Sequence, residues 1–188
     1  MASKLKNSMG NKPAALEGAK VGSHGGAEAL TKALTFAVKN GKEEGFRVQL
    51  DDDNNLYKWQ IHLFDFPAMC NLADSMEVYK EATGRDTVML EVLFPEDFPN
   101  GPPFIRVVYP RFHQYTGHIT VGGSLCIQEL TRSGWKPEFD LFTFVIMLRN
   151  LLVDGGALID MDSTSAEYSE AEARSAFVRV AEAHGWTP

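Results

Sequence analysis

The chain has 188 residues, of which 44% are hydrophobic, and these values suit one domain with a substantial core. It carries 18 Lys and Arg residues against 25 Asp and Glu residues, a net charge of −7. This balance argues against nucleic-acid binding, because phosphate contacts need clustered basic side chains. No apolar run approaches the ~18 residues of a membrane span, and the N-terminus lacks the pattern of a signal or transit peptide. Neither a nucleic acid nor a membrane is therefore expected as a partner.

The first 26 residues differ from the rest of the chain in charge and pattern. They contain four Lys and one Glu, which is a charge of +3. Because the whole chain has a net charge of −7, residues 27–188 have a net charge of −10. They are rich in Gly, Ala, Ser and Asn and lack hydrophobic periodicity, which predicts a flexible tail over residues 1–26 and a folded domain over residues 27–188. Cys70 and Cys126 are the only cysteines, and no Cys/His set has zinc spacing. We therefore expect no bound metal and a reducing compartment, cytoplasmic or nuclear.

The first half of the domain predicts a helix, a hairpin and a second helix. Residues 27–39 place Leu30, Leu34 and Val38 on one helical face, and Asn40-Gly41 ends the helix. Two runs of alternating apolar residues then predict a β-hairpin, because Asp and Asn residues form a turn between them. An inserted helix follows the hairpin. The predicted strands are residues 46–50 and 56–66, and the inserted helix is residues 67–84, with Met69, Leu72, Met76 and Tyr79 on one face.

Two further strands and two helices complete the predicted domain. The strands extend the hairpin into a four-stranded antiparallel meander. Asp140 can cap the first of these helices, which is apolar on most sides, and Ser169 and Glu172 have capping-box spacing in the second. One sheet with N-terminal, central and C-terminal helices is an α+β domain. The predicted strands are residues 87–94 and 104–109, and the helices are residues 141–153 and 166–184.

A glycine pair, a cysteine and a tryptophan form the most informative stretch of the sequence. Residues 121–130 read Val-Gly-Gly-Ser-Leu-Cys-Ile-Gln-Glu-Leu, and Trp135 follows nine positions after Cys126. Backbone at a glycine pair can approach other groups closely, so a partner could reach the sulfur. The competing interpretation is that the cysteine is a small buried apolar residue. Upstream, residues 94–103 read Phe-Pro-Glu-Asp-Phe-Pro-Asn-Gly-Pro-Pro, which is a proline-rich turn after a strand.

This order of motifs resembles the ubiquitin-conjugating enzymes: strand, FPxxFPxxPP turn, strand, glycine loop, cysteine and tryptophan. The stretch GGSLCIQELTRSGW, residues 122–135, is most similar to the catalytic loop of their divergent Q-type branch. The ending Gly185-Trp186-Thr187-Pro188 and the inserted helix also resemble that branch. The resemblance covers about residues 50–188. It implies the ubiquitin-conjugating fold, which agrees with the α+β meander.

The resemblance implies two acyl transfers. Cys126 would take the C-terminal glycine of ubiquitin from the ubiquitin-activating enzyme as a thioester and pass it to an amine of a protein substrate, with a ubiquitin ligase. A thiolate suits both steps because it is a strong nucleophile and a good leaving group near neutral pH. ATP is used by the activating enzyme, so this chain is expected to need no cofactor, and it lacks a phosphate-binding GxxxxGK motif. Cys70 has no glycine loop and is expected to be structural.

The sequence departs from the family at the group that stabilises the oxyanion. The family uses the asparagine of a His-Pro-Asn triplet eight residues before the cysteine, where this chain has a Thr-Gly-His triplet ending at His118. His118 is a candidate donor, and a packing or solvent-facing histidine is the alternative. His113 is interpreted as an ordinary loop residue. The family often keeps an acidic residue beyond the following helix, where Asp154 and Asp160 are candidates near the acceptor amine, although exposed loop carboxylates are common.

Ligase recognition in the family uses an aromatic residue in the proline-rich turn and a second loop after the tryptophan. Asn100 and the pair Pro137 and Glu138 occupy the matching positions. Asn100 lacks the apolar anchor that such interfaces usually employ, so generic ligases are expected to bind poorly. Trp135 itself is expected to pack behind the cysteine loop.

Two other functions fit parts of the sequence. A noncatalytic variant would keep the fold in order to bind ubiquitin or a partner, which the missing His-Pro-Asn favours and the presence of Cys126 opposes. A cysteine hydrolase would use Cys126 and His118 to cleave ubiquitin conjugates without ATP. The number of matching motifs in one order favours the conjugating enzyme.

Overall fold

The computed structural model describes residues 24–188, so most of the predicted tail lies outside the described residues. The last positions of that tail are helical, because the first helix begins at His24 and not at Ala27. None of the described helices is long and apolar enough to cross a membrane. In chain order the elements are α1 His24–Asn40, β1 Phe46–Leu50, β2 Lys58–Leu63, α2 Asn71–Thr83, β3 Val88–Leu93, β4 Phe104–Tyr109, α3 Leu141–Asp154 and α4 Glu170–Ala183, with short 3-10 turns at Gly41–Glu44, Gln128–Leu130 and Met161–Ser163.

The four strands form one antiparallel sheet in the order β1-β2-β3-β4, which confirms the predicted meander. Val48 pairs with Ile61, and Ile61 pairs with Leu90, so these apolar side chains share one face of the sheet. The turn between β1 and β2 is stabilised by the side chains of Asp52 and Asn55, each of which accepts a hydrogen bond from the N–H two residues later. Strands β2 and β3 are shorter than predicted because the ends of their apolar runs lie in the adjoining turns.

A single hydrophobic core joins the apolar face of the sheet to the first three helices. Helix α3 begins after Asp140, whose carboxylate accepts a hydrogen bond from the Thr143 N–H at 2.8 Å, as predicted. Phe142, in the first turn of α3, contacts the rings of Phe46 in β1 and Phe36 in α1, with centroids 5.3 and 4.9 Å away. These ring contacts fix α3 against both elements. The buried side chains of α3 are Leu141, Phe144, Val145, Leu148 and Leu152.

Helices α1 and α4 differ from the prediction at one face and one boundary. Val38 is 60% exposed while Ala37 is buried, because the residue seven positions after Leu30 returns to the same side of a helix and the eighth overshoots it. Helix α4 begins after Ser169 rather than at residue 166, since Ser169 and Glu172 form the predicted capping box. The capping box is therefore confirmed, and the earlier start is wrong.

The inserted helix α2 is present but starts later than predicted. Met69 is 95% exposed and has a φ of 63°, so it lies in the turn before the helix and not on its buried face. The sulfur of Cys70 accepts a hydrogen bond from the Ala73 N–H at 3.4 Å and caps the first turn, which supports the structural role expected for this cysteine. The rest of the predicted face is buried, namely Leu72, Met76 and Tyr79.

A chain of buried charges crosses the other face of the sheet. Arg106 of β4 lies opposite Glu91 of β3, and its Nε donates to the Glu91 carboxylate at 2.7 Å. The second oxygen of Glu91 contacts the Lys58 ammonium at 2.8 Å. Arg106 also donates to the backbone carbonyl of Tyr168 at 2.6 Å. The segment that leads into α4 is thereby bonded to the sheet.

Replacing Arg106 with Met should lower the free energy of unfolding by about 3 kcal/mol, because Glu91 would keep a buried charge with only Lys58 as its partner. Equilibrium urea unfolding measures this loss. Lys32→Met is the control, since Lys32 pairs with Glu28 at 2.7 Å on the exposed side of α1 and such pairs contribute less than about 1 kcal/mol. A loss for Arg106→Met no greater than that of the control would contradict a stabilising role of the buried pair.

Candidate active site

The cysteine loop, residues 118–126, lies along the free edge of β4. The N–H of Leu125 donates to the carbonyl of Ile105 in β4 at 3.3 Å. Within the loop, Ile119 and Leu125 form an antiparallel bridge, so the loop is a tight hairpin. The hairpin covers the edge of the sheet and holds Cys126 just beyond its last bridged residue.

The glycine pair at the tip of this hairpin fits against the segment that contains the start of α4. A Cβ on Gly122 would lie 2.3 Å from the backbone oxygen of Glu172, and one on Gly123 would lie 2.4 Å from the ring of Tyr168. Gly123 also has a φ of 91°, which side chains rarely allow. The glycine pair therefore permits close packing inside the protein. The sequence analysis interpreted the pair only as giving a partner access to the sulfur.

Cys126 is half-buried in the wall of an open cavity of about 530 Å³ between the cysteine loop and α4. Its N–H donates to the carbonyl of His118 at 2.8 Å, which fixes the backbone of the cysteine. Burial raises the pKa of the Cys126 thiol above its ordinary value, because removal from water disfavours the charged thiolate. The thiol is thus accessible from the cavity and mostly protonated at neutral pH.

His118 lines the same cavity and lies opposite Cys126, on the other strand of the hairpin. Its φ is 55°, in the left-handed region that histidine adopts more readily than most residues. A Cβ on Gly155 would come within 2.8 Å of His118 Cδ2, so the imidazole lies over this glycine at the end of α3. Within residues 24–188 neither ring nitrogen is hydrogen-bonded, which leaves both nitrogens available to an incoming group.

The two candidate carboxylates lie outside this cavity. Asp154 is the exposed last residue of α3 and is not among the residues that line the cavity. Asp160 accepts a hydrogen bond from the Asp162 N–H at 3.1 Å and lines a neighbouring cavity, together with the exposed His113. No group of three or more His, Cys, Asp or Glu side chains is gathered for a metal ion in the described part of the chain. The structure therefore brings Cys126 and His118 together, but neither carboxylate with them.

Trp135 connects the two loops that were assigned to ligase contact. Its Nε1 donates to the carbonyl of Pro99 at 2.7 Å, so the proline-rich turn and the later loop lie side by side. Asn100 follows Pro99 directly, and its side chain is exposed, as are those of Pro137 and Glu138. The buried ring of Trp135 confirms the packing role predicted for it, with aromatic neighbours Phe98, Phe139 and Phe144.

Sequence reasoning missed the residues that α4 and its C-terminal end contribute to the cavity. Ala176, Val180 and His184 recur at helical spacing and line the cavity together with Arg179. Their period is visible in the sequence, but nothing in it shows that this face turns toward the cysteine loop. Tyr115, which is 95% exposed, lines the cavity from the other side and has no sequence signal.

A comparison with known proteins assigns this fold and site to a class. The family model described as ubiquitin-conjugating enzyme matches residues 29–184, which is most of the chain. The four-stranded sheet and the cysteine in its glycine loop agree with that match. The chain therefore belongs to the ubiquitin-conjugating enzyme family.

Individual relatives point to the Q-type branch of the family. The chain is 29% identical over 176 residues to ubiquitin-conjugating enzyme E2 Q1 of Homo sapiens, covering 91% of this chain and 41% of the relative. It is 29% identical over 182 residues to ubiquitin-conjugating enzyme E2 25 of Caenorhabditis elegans, covering 94% and 46%. The chain thus spans less than half the length of these curated relatives. The solved structure of human ubiquitin-conjugating enzyme E2 G1 matches with a TM-score of 0.55 at 25% identity, covering 69% of this chain and 95% of that one. The match to E2 Q1 confirms the resemblance to the Q-type branch.

The raised pKa of Cys126 predicts how its alkylation depends on pH. Because only the thiolate reacts, the rate with iodoacetamide should rise about tenfold per pH unit near neutrality and reach half its maximum at a higher pH than for a short unstructured cysteine peptide. Mass spectrometry of the peptide that contains Cys126 follows the reaction across the pH range. A midpoint below that of the reference peptide would show that the site stabilises the thiolate, contrary to this prediction.

Proposed function

We propose that the chain accepts ubiquitin from the ubiquitin-activating enzyme as a thioester on Cys126. It then transfers the ubiquitin to an amine of a protein substrate, with the help of a ubiquitin ligase. One observation carries the proposal: in a member of the conjugating-enzyme family, the cysteine of the glycine loop lies in the wall of an open cavity. A cysteine with a purely structural role would not need this access.

Both steps are exchanges at one carbonyl carbon. In the first, the Cys126 thiolate attacks the ubiquitin thioester held by the activating enzyme, a new S–C bond forms and the activating enzyme's thiolate leaves. In the second, an acceptor amine attacks, an N–C bond forms, Cys126 leaves as a thiolate and the amine loses a proton. Neither step consumes a nucleotide or a redox equivalent on this chain. We therefore propose that it uses no cofactor of its own. From its cysteine content, we also propose that it works in a reducing compartment, the cytoplasm or nucleus.

We assign stabilisation of the oxyanion to His118. Attack by the amine places negative charge on the carbonyl oxygen, which needs a donor that is already in position. The unbonded imidazole beside Cys126 supports this role. The alternative donors are the backbone amides of the glycine pair, but the N–H of Gly123 already donates to the carbonyl of Thr120 at 2.9 Å.

The remaining predicted residues have supporting roles in this proposal. Asn100, Pro137 and Glu138 form the ligase surface, and the polar Asn100 limits binding by generic ligases. The carboxylate of Asp154 has no hydrogen bond or ion pair within residues 24–188, so it is available to an acceptor amine near the end of α3. The carboxylate of Asp160 instead accepts a hydrogen bond from the Asp162 N–H. Of the two residues, Asp154 is therefore favoured as the group near the acceptor amine.

The competing proposal is a noncatalytic member that binds ubiquitin or a partner through the same fold. The missing His-Pro-Asn triplet and the raised pKa of Cys126 favour it. The accessible thiol opposes it. The two proposals differ in one observable, because only the conjugating enzyme becomes covalently charged in the presence of activating enzyme, ATP and ubiquitin.

Charging should produce a ubiquitin adduct on Cys126 that disappears when a thiol reductant is added. Cys126→Ser should instead give an adduct that resists the reductant, because a hydroxyl can be acylated but leaves poorly. Gel electrophoresis with and without reductant makes the measurement, and Cys70→Ala is the matched control that should retain charging. The absence of any adduct, or an adduct on Cys70, would refute the proposed function.

Removal of the His118 imidazole should affect transfer more than charging. His118→Ala should slow discharge from the charged enzyme to free lysine by about a hundredfold, because one donor to the oxyanion is lost. His118→Asn should recover part of this loss by restoring a neutral donor. His113→Ala is the control, since this histidine does not line the Cys126 cavity. Equal discharge by the wild type and His118→Ala would make the histidine a bystander.

A further inference from the structure

The cavity beside Cys126 combines apolar walls with cationic and neutral polar groups. The apolar walls come from the hairpin and from α4, and the polar side chains include Arg179, His118 and His184. No Asp or Glu of the described part of the chain is among the residues that line it. This is unexpected on charge grounds, because residues 27–188 carry 14 basic and 24 acidic residues. The apolar lining residues are Ile119, Val121, Ala176 and Val180.

Among residues 24–188, Arg179 is the only Lys or Arg that lines this cavity. It is exposed, and its NH1 donates to the Ser175 hydroxyl at 2.7 Å, but it forms no ion pair with a carboxylate of residues 24–188. The other arginine of α4, Arg174, pairs with Glu170 at 2.7 Å. A guanidinium has five N–H donors in a planar arrangement, so Arg179 retains donors that suit a carboxylate.

We propose that this cavity binds an acceptor segment that carries a carboxylate close to the acceptor amine, with an apolar side chain beside it. The carboxylate binds Arg179, and the apolar side chain packs on the wall that contains Val121 and Val180. This inference rests on the proposed transfer function and names the class of acceptor that the site selects.

Charge complementarity is the reason to choose an acidic acceptor over a basic one. Residues 27–188 carry ten more acidic than basic residues, but within residues 24–188 the cavity presents one cation without an ion-pair partner and no lining carboxylate. Asp154 and Asp160 both lie outside the lining. An acidic acceptor segment would therefore be attracted to the place where Cys126 holds ubiquitin.

The first test does not involve ubiquitin. Cys126 is alkylated with iodoacetate, which is anionic, and with iodoacetamide, which is neutral, at one fixed pH. In each reaction the thiolate displaces iodide, so only the charge of the reagent differs. For each cysteine, the rate with iodoacetate is divided by the rate with iodoacetamide, and the value for Cys126 is then divided by the value for Cys70. This alkylation ratio should be roughly two- to fivefold lower in Arg179→Gln than in the wild type, as expected for one exposed charge. Arg174→Gln should leave the ratio unchanged.

The second test measures acceptor choice by the charged enzyme in a single turnover. Two acetylated peptides each contain one lysine and one leucine, and they differ only in having Glu or Gln next to the lysine. We expect the wild type that carries ubiquitin on Cys126 to transfer it to the Glu peptide roughly two- to fivefold faster than to the Gln peptide. Arg179→Gln should lose that preference. Arg179→Glu should prefer a peptide with Arg at the same position, which a structural defect would not produce.

The outcomes separate this inference from the proposed function. If Cys126 is charged but the Glu and Gln peptides react equally, or if Arg179→Gln keeps the preference, the inference is wrong and the transfer function stands. If Cys126 is never charged, the proposed function fails, and the alkylation ratio alone then decides whether the cavity attracts carboxylates. An alkylation ratio that is the same in the wild type and Arg179→Gln would overturn the anionic site.

Discussion

The close contact between the glycine pair and the start of α4 is the constraint on which the candidate site depends. A Cβ on Gly122 would approach the backbone of Glu172 to 2.3 Å, so only glycine permits this spacing. With α4 seated there, its Ala176 and Val180 become one wall of the Cys126 cavity. Arg106 holds the preceding segment through the carbonyl of Tyr168, which ties the wall to the sheet. The cavity is thus a consequence of packing between distant parts of the chain.

The thiol in this cavity is accessible but not activated by its surroundings. Burial raises the pKa of Cys126, whereas cysteine nucleophiles that act on unactivated substrates are usually paired with a cation that lowers it. An enzyme that receives an already activated thioester has less need of a preformed thiolate. In the proposed function, thioester exchange would supply the driving force from outside the chain, and the site would have only to align the reacting groups. Because the Cys126 thiol has no hydrogen-bonded base within residues 24–188, the site fits the proposed conjugation better than hydrolysis.

Charge is used differently on the two sides of the domain. On the sheet, Arg106 and Glu91 neutralise each other in a buried pair, and Lys58 completes the network. In the cavity, Arg179 has no carboxylate partner within the described residues, and its charge remains available. The net charge of −7 gives no indication of either arrangement. The field near Cys126 depends on which few side chains line the cavity, and a local cation can attract an anion to an acidic protein.

Local interactions allowed the sequence to determine the elements, their order and the candidate nucleophile. Strands Phe46–Leu50 and Lys58–Leu63 follow from alternation, the caps at Asp140 and Ser169 follow from short-range hydrogen bonding, and Cys126 is marked by its glycine loop. The sequence could not reveal that Ala176, Val180 and His184 face the cysteine, or that Asp154 and Asp160 lie outside its cavity. Those positions were decided by the tertiary structure, because they depend on how α4 packs against a hairpin about fifty residues earlier, and neither hydrophobic periodicity nor motif spacing encodes such a distant contact.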